Sequence, residues 1–553
     1  MKYFSLFIKI SFLIFLFVNA KNGASHNNLI YINKIASKFN PHQVYSLDDF
    51  QFCFIDYESP KEDQSLSEIF EGSHPYQTLF QIPFNSEIIS TEICKTSINK
   101  EIYSHLEKAI KDNAYFEFDF NGLPLTIPIG NSFIDNDQST KLNIYRHFVF
   151  KFYYNKDQVI SAQIFSDSES KMSLQTLKSQ GRTEFYISVF WIPTEYTYEN
   201  RLELYKSKIN LITEEKIRWI SVGSSILLNL FFIGLIWLLT RKIWKSKYQF
   251  SQNKDLEDIE DSSGWKAIYG DVFRIPENIQ ILSSFFGIGA YFLIIIIFLL
   301  IFVQLTPFMT HFQGYMTKIV LNIVLTTLLF SLPLFLIFLT LNFFAFLYSS
   351  EITLPFSLLF KLFLLWIFVT LPLSLLFGLI GKNSKATLDV PCRVNPRPKQ
   401  IPDLPWYLKT KMSILISGAV PFSIIHVELF YAFSSFWTIY IYGYQSTLFL
   451  SFLLLIISVI TSVVLMTYLR ISAMDYNWWW KSFFNGGSIG IYIFFYSFFY
   501  YFFQSTMNGF LQFLYFFGYS IIFSSIFFLL FGSIGFFASF IFLKKVYQEI
   551  KFD

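Results

Sequence analysis

Cysteine is scarce in this 553-residue chain: Cys53, Cys94 and Cys392 are the three present, too few for a disulfide framework. No Asn-x-Ser/Thr acceptor occurs anywhere, so N-glycosylation is excluded even for translocated segments. Charged residues make up only 15% of the chain, and the net charge of +3 provides no basis for a nucleic-acid partner. The seven histidines are scattered, and none stands at ligand spacing from a cysteine or carboxylate, so no metal and no other cofactor is expected. Nucleophile elbows, zinc-protease helices, phosphate-binding glycine loops and dinucleotide fingerprints are all missing. The chain is therefore not expected to be an enzyme. Gly287-Ile288-Gly289 is a fragment of a fingerprint inside an apolar run, and reads as a helix-packing site.

What is abundant is apolar residue, at 53% of the chain with a mean hydropathy of +0.42. That is too apolar for one soluble globule, and the excess is concentrated after residue 218. Phe (71) and Tyr (33) supply much of it, which fits a compositional bias as well as a functional one. Apolar runs fall near 220–240, 281–303, 319–348, 355–381, 412–438, 446–469, 486–503 and 510–543. Each approaches or exceeds the roughly 20 helical residues that cross a bilayer. Upstream, Lys2 and Lys9, the apolar stretch Ile10–Val18 and Val18-Asn19-Ala20 have the form of a cleavable signal peptide. The expected fold is a polytopic α-helical membrane protein with an N-terminal, mainly β luminal domain. Its expected parts are a signal peptide (1–20), the luminal domain (21–218), a first transmembrane helix (219–240), a cytosolic loop (241–280), a multi-span bundle (281–543) and a cytosolic tail (544–553).

Orientation follows from Lys and Arg, which stay cytoplasmic. Residues 241–280 and 382–411 hold seven each, Arg470 and Lys481 mark the next turn, and Lys544, Lys545 and Lys551 mark the tail. Residues 439–445 and 504–509 hold none. A luminal N-terminus and a cytosolic C-terminus require an odd number of crossings, whereas eight runs are clear. A ninth is either hidden within 281–348 or missing.

The N-terminal domain carries strand signals. Thr183, Phe185, Ile187, Val189 and Trp191 alternate with Glu184, Tyr186, Ser188 and Phe190, and residues 147–153 and 158–165 are rich in aromatic and β-branched types. Asn121-Gly122 and Gly130-Asn131 read as turns, and 99–111 as a helical insertion in a β-sandwich. Within this domain Cys53 and Cys94 have only each other as bridging partners, and the expected compartment permits a disulfide. Cys392 falls in an expected cytosolic loop and should stay reduced.

Short motifs cluster at the run borders: Gly264-Trp265-Lys266 with Gly270-Asp271-Val272-Phe273-Arg274, Ile401-Pro402 with Pro405-Trp406-Tyr407, Pro421-Phe422 with Glu428-Leu429-Phe430, and Asp475-Tyr476-Asn477-Trp478-Trp479-Trp480-Lys481-Ser482-Phe483. In this order they resemble the signatures of the transmembrane-9 superfamily, the nonaspanins or endomembrane protein 70 family. The last run, with Gly535-Phe536-Phe537-Ala538-Ser539-Phe540, and the ending Lys551-Phe552-Asp553 are similar too, and Tyr115-Phe116 and Asn121-Gly122-Leu123-Pro124 match more loosely. The resemblance implies nine spans and a Golgi or endosomal membrane protein. Such a protein assists sorting or surface localisation of cargo membrane proteins, and members are implicated in adhesion and phagocytosis. It also implies that Lys551 and Asp553 bind vesicle coats, since a Lys-x-Asp/Glu ending does so in that family. Membrane lipid, coat proteins and cargo are the expected partners.

Several residues have their own physical reading. Trp478, Trp479 and Trp480 beside Lys481 form an expected interfacial anchor, with rings and a snorkelling cation at the headgroups. Glu428 lies inside the sixth run, two residues from His426 and so on a different helix face. It is either a hydrogen-bonded packing residue or an intramembrane functional group, which would make the chain an ion-coupled small-molecule transporter. Pro396, Pro398, Pro402 and Pro405 keep their loop extended, as a strap or a docking segment. Gly535 and Ser539 form a small-xxx-small pair suited to close packing.

Overall fold

The computed structural model describes residues 30–196 (without 41, 61–68, 70, 81, 121–122, 135–139, 157 and 168–169), 220–241 (without 221 and 240), 268–300, 319–372 (without 371), 397–437 and 445–548. The expected signal peptide, Cys392, the tail Lys551–Asp553 and residues 301–318, within the stretch expected to hide a ninth crossing, lie outside the described residues. Two compact units emerge, Met1–Ala36 with Tyr45–Leu204, and Ser37–Val44 with Tyr205–Asp553.

The first unit is mainly β. One sheet runs in the order β3 (Ile55–Pro60), β4 (Tyr76–Thr78), β1 (Ile30–Ser37), β6 (Ala114–Phe120), β7 (Leu123–Pro128), with β2 (Val44–Tyr45) also on β1. A second runs β11 (Gln158–Ser166), β10 (His147–Asn155), β13 (Arg182–Pro193), β5 (Ile88–Ser97). A small third joins β12 (Met172–Ser173), β9 (Thr140–Ile144) and β8 (Gly130–Ile134). Strict alternation in β6 and β10 sends Phe116, Phe118, Phe148, Phe150 and Phe152 inward, all at most 1% exposed. Phe54 meets Phe116, Phe148 and Phe185 edge-on at 5.1–5.9 Å, the arrangement that the ring quadrupole favours. Cys53, just before β3, is bridged to Cys94 in β5 with Cα atoms 5.9 Å apart, so a covalent staple joins the first sheet to the second. Helix α1 (Lys100–Lys111) packs Ile102, Leu106 and Ile110 inward, and α2 (Leu174–Gln180) ends on Gly181 in the left-handed conformation.

Gly130-Asn131 is not a turn, contrary to the sequence reading: it opens β8 and pairs with β9. A Cβ at Gly130 would overlap the backbone carbonyl of Asn143, so the glycine permits close strand approach instead of a reversal. Asn121-Gly122 falls outside the described residues, between β6 and β7, which pair antiparallel up to Phe120 and Leu123.

The second unit is helical: α3 (Val222–Leu239), α4 (Ile279–Leu300), α5 (Ile319–Leu347), α6 (Phe356–Leu365), α7 (Thr410–Trp437), α8 (Gln445–Ser472), α9 (Trp479–Phe499) and α10 (Phe510–Gln548). These match the eight apolar runs in order. Among the described residues six helices are long and apolar enough to cross a membrane, with two shorter apolar ones at Ile279–Leu293 and Phe356–Phe368. With no hydrophobic drive between helices in lipid, tight association needs small residues. At Gly486 of α9 a Cβ would overlap the carbonyl of Phe531 in α10, and at Gly535 it would come within 3.0 Å of the Cα of Gly486. Gly289 of α4 is pressed likewise against the backbone of α10 at Leu529. Thr467 of α8 and Ser539 of α10 share a hydrogen bond at 3.0 Å, closing the bundle core.

Candidate functional site

The turn between α8 and α9 draws together three motifs that are far apart in sequence. Helix α8 stops at Ser472, the chain reverses over 473–478, and α9 starts at Trp479. Asp475 sits in that reversal with no exposed surface. Burying a carboxylate costs several kcal/mol, roughly, unless it is paired. Its Oδ2 accepts from Arg470 Nη1 at 2.9 Å and from Lys481 Nζ at 2.6 Å, while Oδ1 accepts the N–H of Asn477 at 3.2 Å. The pairing therefore spans the turn, clamping the end of α8 to the first turn of α9.

Of the three tryptophans expected at the headgroups, Trp478 and Trp479 are packed into the protein. Trp478 is fully buried, stacked on Trp479 at 4.3 Å, and donates its indole N–H to the carbonyl of Val272 at 2.8 Å. Trp479 is also buried, and Trp480 donates to the carbonyl of Glu277 at 2.9 Å. An indole can fill a core and still spend its one donor on a loop carbonyl, which a headgroup position would not require. Lys481 is held by Asp475 instead of reaching freely outward. Across the junction, Asp271 is buried, pairs with Arg274 Nη2 at 2.7 Å, and accepts the backbone N–H of Lys399 at 3.1 Å. The Gly270–Arg274 motif, the proline-rich strap and the Asp475–Phe483 motif thus form one structure. Phe273 and Tyr547 pack edge-on at 6.2 Å, bringing the end of α10 into it.

Glu428 lies in α7 at 4% exposure, while His426 is exposed and hydrogen-bonded to the carbonyl of Ser423, so the two do not share a site. Nearer the start of α7, Ser413 Oγ donates to Asn485 Oδ1 of α9 at 3.0 Å, and Ser417 Oγ to the Asn485 carbonyl at 3.0 Å. This polar seam in the bundle interior was not singled out from the sequence. A groove of about 520 Å³ lies between α4, α5, α9 and α10, lined by Phe285, Pro333, Gly490, Phe495, Ser524 and Ser525 among others.

In the β unit, sequence reasoning missed a chain of Asp167, His147 and Ser188. His147 Nε2 lies 2.8 Å from Ser188 Oγ, and Nδ1 lies 3.4 Å from Asp167 Oδ2. The parallel register of β10 and β13 places them together, which spacing could not reveal. Ser188 is buried and its hydroxyl already accepts the N–H of Ser90 at 2.9 Å, so the hydroxyl is shielded from an incoming substrate. Among the described residues no group of three His, Cys, Asp or Glu is placed to hold a metal ion. The Lys551 and Asp553 of the expected coat-binding tail lie outside the described residues.

The endomembrane protein 70 family model matches residues 44–323 and 308–510. Among curated relatives, transmembrane 9 superfamily member 3 of Arabidopsis thaliana is 32% identical over 94% of this chain and 93% of its own length. Member 2 of the same plant is 33% identical with the same coverage. Member 1 of Mus musculus is 29% identical over 95% of this chain and 93% of its own. No solved structure matches the chain. The chain belongs to the transmembrane 9 superfamily, and it is an integral membrane protein.

Proposed function

We propose that this transmembrane 9 superfamily protein resides in Golgi and endosomal membranes and assists the sorting, trafficking or surface localisation of other membrane proteins. The observation that carries the reading is the groove between α4, α5, α9 and α10. It is lined by apolar side chains together with the small residues Gly490, Ser524 and Ser525. Gly490 and Ser524 are closed against each other between α9 and α10, so a client transmembrane helix would pack against Ser525 and the apolar walls, the main source of helix affinity within lipid. Pro333 brings no N–H to the carbonyl of Leu329, another lining residue, which leaves α5 one backbone hydrogen bond short beside the groove. In this reading the Lys- and Arg-rich loops face the cytosol and the β domain the lumen. Lys551 and Asp553 then meet vesicle coats through paired charges.

The test places a photo-crosslinking phenylalanine analogue at Phe495, exposed on the groove rim, in cell membranes. Transmembrane segments of other proteins should be captured, and Ser525→Phe should abolish the capture by filling the groove. Capture of lipid alone would contradict the proposal.

Glu428 supports a second reading, an ion-coupled small-molecule transporter, because ionisable groups buried within a span are rare outside functional positions. Loss of uptake or current in Glu428→Gln, with unchanged folding, would favour it over client sorting.

A further inference from the structure

We propose that the Arg470–Lys481 cluster binds the phosphate group of an anionic lipid from the leaflet at its end of the bundle. The cluster holds two cations against one carboxylate, since both Arg470 and Lys481 bind the same oxygen of Asp475. It therefore carries a surplus positive charge. The Arg470 side chain is 1% exposed, yet its Nε and Nη2 have no hydrogen-bond partner among the described residues. Ser472 Oγ, two residues on at the end of α8, and Trp479 Nε1 at the start of α9 are buried and unpartnered as well. A buried guanidinium leaving N–H groups unmet is costly, and an unbalanced charge raises the cost further. A phosphate oxygen held on the Lys481 ammonium would balance the surplus charge with a short, charge-assisted hydrogen bond.

Lys481 provides the approach. Its side chain is 19% exposed, beside the exposed Asn477, so an incoming oxygen can reach its ammonium while Arg470 stays behind it. The position favours a lipid over a soluble anion, because the cluster terminates two membrane-crossing helices, Phe449–Ser472 and Trp479–Gln504. Headgroup phosphates are concentrated at that depth, and each Lys or Arg there adds attraction for anionic lipid. Glu277 meets Trp480 through its backbone carbonyl, Asp271 is engaged by Arg274 and by the Lys399 N–H, and among the described residues neither carboxylate pairs with Arg470 or Lys481.

The test uses the full-length protein in nanodiscs of phosphatidylcholine, alone or mixed with about one-fifth phosphatidylserine, and reads thermal midpoint and lipid retained on native mass spectrometry. Wild type should retain phosphatidylserine and melt higher with it. Lys481→Gln should reduce retention roughly fivefold, Lys481→Arg should preserve it, and Lys545→Gln, an exposed charge change near the end of α10, should lower it by clearly less. Should Lys481→Gln not fold, wild type alone decides through its response to phosphatidylserine, inorganic phosphate and a polyglutamate peptide. Equal behaviour in the two lipid mixtures overturns the proposal. So does an equal shift from inorganic phosphate, a response to the peptide only, or a loss as large in Lys545→Gln.

Discussion

Trp478 donates its indole N–H to the backbone carbonyl of Val272 at 2.8 Å, across 206 residues of sequence. That bond fixes the Gly270–Arg274 segment to the start of α9, and the indole is also the largest fully buried side chain of the chain's described residues. Trp478→Ala should cost about 3–5 kcal/mol by leaving a cavity. Trp478→Phe keeps most of the packing but strands the Val272 carbonyl, a loss of about 1–3 kcal/mol. Thermal unfolding of the full-length protein in detergent measures both; equal midpoints for the Phe variant and wild type would show the bond to be idle.

The contact of α9 with α10 depends on the missing side chain at Gly486. Gly486→Ala must push the helices apart at Phe531 and is expected to cost about 1–3 kcal/mol. Gly223→Ala in α3, where nothing lies within 4 Å of the added carbon, is the matched comparison and should be neutral or mildly stabilising. Similar melting of the two variants would contradict the packing described.

The Cys53–Cys94 bridge ties residues separated by 41 positions. The double change to Ser should destabilise the β domain by about 2–4 kcal/mol. Limited proteolysis of the full chain should then cut within 45–196 at lower temperature, with cleavage of the helical unit unchanged. An unaltered cleavage pattern would mean that the bridge contributes nothing.

An exposed pair on the same sheet gives a pH dependence of defined sign. Hydrogen bonds from Lys95 and then Tyr186 hold the Glu184 carboxyl below its ordinary range. Its stabilisation is therefore complete above the unfolded value, about 4.3, and is lost as pH falls through the lower folded value. The Lys95 ammonium is raised, first by its bond to Glu184, so its share is present below about 10.4 and lost as pH climbs through the folded value. Glu184→Gln should flatten the acid-side decline in low salt, and about 1 M salt should erase the difference from wild type. Persistence of the difference in high salt would point to another cause.

Periodicity made the architecture readable: Phe185, Ile187, Val189 and Trp191 alternate because one face of β13 meets an aromatic core, and the apolar runs are long because they cross lipid. The motif junction was readable only as separate words. Nothing in its spacing joins Asp475 to both Arg470 and Lys481, since that depends on how tightly the chain turns after α8. Trp478 and Trp479 looked like headgroup residues because tryptophan suits that boundary, and their burial was decided by Val272 and Phe536, which are remote in sequence. Gly130 misled for a related reason: close strand approach and a turn both call for glycine.

The most direct measurement is the surface proteome of cells depleted of this protein and re-expressing either wild type or Ser525→Phe. A defined subset of membrane proteins should leave the surface on depletion, return with wild type, and stay absent with the filled groove. A surface proteome unchanged by depletion would contradict a sorting role.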